Sequence, residues 1–268
     1  MIILRGFPVA LFEASSQQWS DVLRDYLLRG IGGADQPYGP DDIARSVRAL
    51  DQVRTCAAFA VDREPDTDPL DVLIELQELT AGDFAVLQGA LDHGRQLAIA
   101  GKTLTLPALP EVVALRDWMC EEILAQAAGG EATPWRFTEV VLDDGGLALA
   151  EWDVSLAPPD DEPWIIGDDH NRIIGVSSSA ESILGWEPGE LVGQRLLAVI
   201  PDRLREQHVA GFTRGVVNGE HRLLGQPLQL PALRKDGSEI PITLTLTRHA
   251  AKRARSVFIA RLDPSAQE

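Results

Sequence analysis

The chain has 268 residues, 45% of them hydrophobic, and a formal charge of −17. That length holds one large domain or two of ordinary size, and that apolar content excludes a disordered polymer. Residues 1–135 carry 21 acidic against 10 basic side chains, residues 136–162 carry 8 against 1, and residues 163–268 are near balance at 12 against 13. An acidic front end repels phosphate backbones, so the chain is expected to bind no nucleic acid.

Cys56 and Cys120 lack the paired spacing of a zinc site or a redox motif, and two thiols in a reducing cytosol are the plain reading. The opening MIILRGFPVALF is apolar but short, and it is interrupted by Arg5 and Pro8. No run approaches the roughly 20 apolar residues of a membrane span. A cytoplasmic protein with no membrane contact is expected.

The first half reads as helices after a strand or extended lead-in over Ile2 to Phe12. Ser16 is an N-cap candidate before Trp19, Val22, Leu23, Tyr26 and Leu27, whose spacing marks one helix face; Gly30, Gly32 and Gly33 end it. Pro40-Asp41-Asp42 opens a second helix, with acids in its first turn. Val61 to Pro69 reads as a polar loop, Leu70 to Leu79 as a third helix and Ala81 to Ile99 as a fourth. Pro110-Glu111 starts a fifth, stopped by Gly129-Gly130. His93 has no metal-ligand companion at i+4, and Trp118 and Met119 are core fillers.

Between the halves, Phe137 to Leu142 and Leu147 to Val154 are strand-like, with Asp143-Asp144-Gly145-Gly146 as a hairpin turn signal. The Pro158 to Pro163 segment, PPDDEP, is a stiff, charged connector. The expected organisation is therefore a helical domain over 1–135, a hairpin and acidic connector over 136–162, a second domain over 163–263 and a tail over 264–268. The sequence leaves open which domain carries the hairpin.

After the connector the pattern changes to strands. Trp164 to Gly167 is a short apolar run, Asp168-Asp169-His170-Asn171 a turn, and Arg172 to Val176 a strand. Ser177 to Ser179 caps a short helix stopped by Gly185. Pro188 and Glu190 open another helical piece, and Leu196 to Ile200 leads into a longer helix from Arg203 to Val217. On that helix Leu204, His208, Phe212 and Val216 recur every four residues, which turns His208 inward. Strands follow over Arg222 to Leu233, Glu239 to Thr247 and Ser256 to Leu262, around the Lys235-Asp236-Gly237-Ser238 turn and a basic loop at Lys252-Arg253. Apolar Ile240, Ile242, Leu244 and Leu246 alternate with polar or small residues, as in a half-buried antiparallel strand.

This order of elements, together with GWEPGELVGQ (185–194), the Ile200–Phe212 stretch with its HVAGF, NGEHRLLGQ (218–226) and LRKDGSEIPITLTLT (233–247), resembles the PAS sensor fold. The resemblance implies an α+β chain: a mainly helical N-terminal domain, then a five-stranded antiparallel sheet whose concave face and helices form a ligand pocket. The pattern is nearest to haem-type oxygen-sensor PAS domains, which implies His208 as a candidate haem ligand and Phe212, Leu224 and Leu228 as candidate pocket lining. Leu228 matches the position where those sensors present a distal arginine, so a neutral His208 hydrogen-bonded in the core is the preferred reading. The flavin photoadduct is excluded, because residues 163–263 contain no cysteine. His221 reads as a surface residue. Around FPVALF, LPALPEVVALRDW and TPW, the front segment resembles helical N-terminal regions of actinobacterial regulators.

The resemblance leaves three functional readings: a PAS regulatory protein signalling through protein partners, a haem-based gas sensor, or a PAS interaction scaffold. The first is preferred, as a homodimer without an attached output module. An enzyme is not expected, since no nucleophile elbow, phosphate loop, His-Glu-x-x-His or Gly-x-Gly-x-x-Gly occurs.

Overall fold

The computed structural model describes the chain apart from residues 33–35, 66, 77, 139–146, 220–222, 253–254 and 265–268. The Asp143–Gly146 turn, most of the strand before it, Gly33, His221 and Arg253 therefore lie outside the described residues. The chain divides into two compact units, Met1–Gly146 with Val209–Asn218, and Leu147–His208 with Gly219–Glu268.

The first unit pairs β1 (Ile2–Phe7) antiparallel with β2 (Leu70–Ile74) and adds helices α1 (Val9–Ile31), α2 (Pro40–Arg63), α3 (Ala81–Ile99) and α4 (Pro110–Ala127). The third expected helix, Leu70 to Leu79, is instead β2. Its residues alternate buried and exposed in LDVLI, and Leu4↔Val72 and Ile2↔Ile74 put the buried members of both strands on one face. Helix α1 begins at Val9, well before Ser16, because Asp68 accepts the backbone N–H groups of Val9 and Ala10 at 3.0 and 3.1 Å. A distant carboxylate thus does the work of an N-cap, and Ser16 bonds the Glu13 carbonyl inside the helix. The Gln126 amide donates to the Ile3 carbonyl and accepts its N–H, both at 2.9 Å, which closes that edge of β1. Phe7, Phe12 and Trp19 pack in series, with ring centres 4.8 and 5.9 Å apart.

The second unit is a five-stranded antiparallel sheet in the order β4-β3-β7-β6-β5. Its strands are β3 (Trp164–Asp168), β4 (Ile173–Val176), β5 (Leu228–Leu233), β6 (Glu239–Ala250) and β7 (Ser256–Pro264); α5 (Ser178–Leu184) and α6 (Asp202–Asn218) lie between β4 and β5 in the chain, and α6 belongs to this unit only as far as His208. The period of two sorts the side chains. Ile165, Ile242, Leu244 and Leu262 face a cluster with Ala180 and Leu184 of α5, Leu191 and Val199. Trp164, Ile166, Val257 and Ile259 face the other way. Pro231 sits opposite Pro241 on the edge strand β5, where a residue without an N–H costs little. Ser177 caps α5 through its hydroxyl, and Gly185 ends that helix at φ 72°.

No strand forms over Leu147 to Val154. Residues 147–157 instead run as a strap across the outer sheet face, where Ala150, Trp152 and Ala157 pack on Trp164, Ile166 and Ile259. Gly175 on β4 lies under the strap, where a Cβ would make close contact with the Trp152 and Trp164 rings at 3.4 and 3.5 Å. The strap's backbone groups find turn side chains rather than a neighbouring strand, as described next.

Candidate functional site

The densest polar cluster of the second unit gathers on the β3–β4 turn, DDHN. Asp168 ends β3 fully buried, so each of its lone pairs needs a donor. Its Oδ1 accepts the N–H groups of His170 and Arg172 at 3.0 and 3.1 Å. Its Oδ2 accepts from the Arg172 guanidinium at 2.9 Å, the Arg255 guanidinium at 3.2 Å and the Ala150 N–H at 3.4 Å. Asp169 accepts from Arg255 Nε at 2.6 Å and the Ser256 N–H at 2.8 Å. Burial works against the charge on Arg255, but Asp169 and Asp168 outweigh it and hold the guanidinium above its ordinary pKa. The two arginines then reach the strap: Arg172 donates to the Leu147 and Ala148 carbonyls at 2.6 and 2.9 Å, and Arg255 to Ala148 at 2.9 Å.

Asn171 closes the turn with φ 61°, a left-handed conformation that asparagine tolerates better than most residues. Its backbone is fixed on both sides, by Asn171 N–H to the Asp168 carbonyl at 3.1 Å and Leu196 N–H to the Asn171 carbonyl at 2.9 Å. Its side-chain oxygen lies 3.0 Å from His208 Nε2 on α6. Burial, and secondarily the charge of Arg195, pushes the His208 pKa from 6.5 down to about 4, so the ring is neutral at neutral pH. An amide oxygen only accepts, which places the imidazole hydrogen on Nε2.

His208 is half-buried with its Nε2 on Asn171, and Phe212 four residues later is half-buried too. Leu224 forms an isolated parallel bridge with Leu246, and Leu228 lies opposite Leu244 on β6. The two leucines thus stand side by side along β6, on the face that Leu244 shares with the apolar cluster. Asp168, Asn171, Arg172 and Arg255 are the site residues that sequence reasoning passed over. The available signal was a four-residue turn that opens with an aspartate and is followed at once by an arginine.

The family model for the PAS fold matches residues 161–261. Those residues are a PAS domain. An uncharacterized protein of Azorhizobium caulinodans is 31% identical over 98 residues, which are 35% of this chain and 13% of that protein. The chain therefore spans only a small part of that relative's length. Among solved structures, a PAS domain from Desulfitobacterium hafniense is 16% identical with a TM-score of 0.32, over 39% of this chain and 92% of that one. The PAS domain of the fruit-fly ELK potassium channel is 12% identical with a TM-score of 0.33, over 40% of this chain and 88% of that one.

A PAS domain points to a sensory or signalling role, and such domains are generally sensory or interaction modules rather than enzymes. No helix among the described residues is long and apolar enough to cross a membrane. Among the described residues, no group of three or more His, Cys, Asp and Glu could hold a metal ion.

Proposed function

We propose that this chain is a cytoplasmic, homodimeric regulatory protein whose PAS domain senses a small molecule and whose helical unit passes the signal to protein partners. The PAS domain over residues 161–261 carries the reading. Two features support the finer points. Cys56 and Cys120 are unpaired, as in a reducing compartment. The helical unit also keeps Leu28, Ile31 and Leu104 at 58%, 82% and 94% exposure, apolar surface of the kind that protein contacts cover.

His208 is, in this reading, a positioning residue for the β3–β4 turn and not an iron ligand. Its Nε2 would have to leave Asn171 to bind haem, and the buried amide oxygen would lose its donor. The test is mass spectrometry of small molecules released from the purified, folded chain, with haemin titration beside it. A recurrent ligand and no Soret band are expected. A Soret band that vanishes in His208→Ala would replace this reading with a gas sensor, and an empty PAS domain that changes no partner's binding would replace it with a scaffold.

A further inference from the structure

The strap and α6 grip the same turn from opposite sides. On one side, backbone groups of residues 147, 148, 150 and 151 are bonded to Arg172, Arg255, Asp168 and the Lys252 N–H. On the other, His208 holds the side chain of Asn171, the residue next to Arg172. Between the two grips the turn has little freedom. Asp168 Oδ1 takes two of its N–H groups, the Asp168 carbonyl takes the Asn171 N–H, and the Asp168 N–H goes to the Arg172 carbonyl at 2.8 Å. A turn closed by that many bonds moves as a body rather than by internal adjustment.

We propose that the β3–β4 turn is a relay between α6 and the strap. A displacement of His208 carries Asn171 and the adjoining Arg172 guanidinium with it, so docking of residues 147–152 on the sheet depends on the state of α6. The strap is the segment that precedes the PAS domain in the chain. The relay needs no ligand and rests on the geometry of the turn alone. It fails or stands independently of the sensory reading, because its readout is strap exchange and not ligand release or partner binding.

The test is hydrogen exchange on the full chain carrying Asn171→Gly. Glycine takes φ 61° without strain, so the turn keeps its path, and what is lost is the contact to His208 together with the packing of the buried amide. The Ala150 amide, the strap N–H that Asp168 Oδ2 accepts, is expected to exchange about three- to tenfold faster, the equilibrium worth of one hydrogen bond, while those of Ile165, Ile166 and Val257 to Ile259 stay unchanged. Unchanged strap exchange would overturn the relay. So would an equal acceleration of strap and sheet, since the bond would then support the whole unit. Coupling is reciprocal, so Arg172→Met must in turn shift the His208 imidazole resonances. Resonances that stay in place would also sink the proposal.

Discussion

Asp168→Asn isolates the electrostatics of the turn, because it removes a charge and keeps the shape. The wild-type carboxylate is fully buried and accepts five donors, two on Oδ1 and three on Oδ2. An asparagine can keep the two backbone bonds through its oxygen. Its NH2 group would then face two guanidinium groups and the Ala150 N–H, donors against donors. Removing one partner of a buried ion pair costs about 3–5 kcal/mol, because the remaining charge stays desolvated. Here Arg172 keeps the Leu147 and Ala148 carbonyls and Arg255 keeps Asp169, so the lower end, about 3 kcal/mol, is expected. That corresponds to about a hundredfold faster exchange for the slowest amides of β3 and β7. A change below about fivefold, or roughly 1 kcal/mol, would show that water reaches Asp168 and that the network behaves as a surface pair.

The His208 pKa, held near 4, sets a pH signature: stability is full above pH 6.5 and falls as pH drops toward 4, because the unfolded imidazole takes a proton that the folded one refuses. About 3 kcal/mol is lost over that window, a slope that His208→Gln should remove in melting curves; an imidazole titrating near 6.5 by NMR would contradict it. Gly94→Ala and Gly211→Ala should have opposite signs although both glycines are helical. A Cβ at Gly94 would lie 2.3 Å from Val22 Cγ1, an overlap expected to cost about 1–3 kcal/mol, whereas nothing lies within 4 Å at Gly211 and about 1 kcal/mol of helix propensity is gained there. Denaturant midpoints that move the same way for both would refute the packing argument. Ser177→Ala should cost about 1–2 kcal/mol in urea unfolding, since its hydroxyl caps Ala180 and accepts from Trp164; a loss under about 0.5 kcal/mol would mean that water replaces the cap.

What the sequence made legible, and what it hid, divides along one physical line. Local signals were readable: Pro40 and Pro110 at helix starts, Ser177 before α5, Gly185 and Gly219 in left-handed caps, and the apolar alternation of β6. Each of these is decided within a few residues by backbone stereochemistry or side-chain periodicity. The failures all depend on a partner far away in sequence. Leu70 to Ile74 has apolar residues that suit either period, and only pairing with β1 makes it a strand. Helix α1 starts seven residues before Ser16 because Asp68, some sixty positions away, satisfies its first donors. Leu147 to Val154 reads as a strand by composition, yet Arg172 and Arg255 claim its carbonyls.

The same line explains why the site was half visible. His208 could be placed inward from helical spacing alone, but its chemistry could not, because the acceptor that engages its Nε2 sits 37 residues earlier in a turn that looks solvent-exposed by composition. A run of Asp, Asp, His and Asn is ordinarily a hydrated loop. It becomes a buried hub here because two arginines, one directly after the turn and one directly before β7, pair with its carboxylates beneath the strap. Burial in turn commits the imidazole. A neutral His208 with Nε2 donating to Asn171 ties α6 to the β3–β4 turn, beside the Arg203–Glu239 pair that ties the start of the same helix to β6.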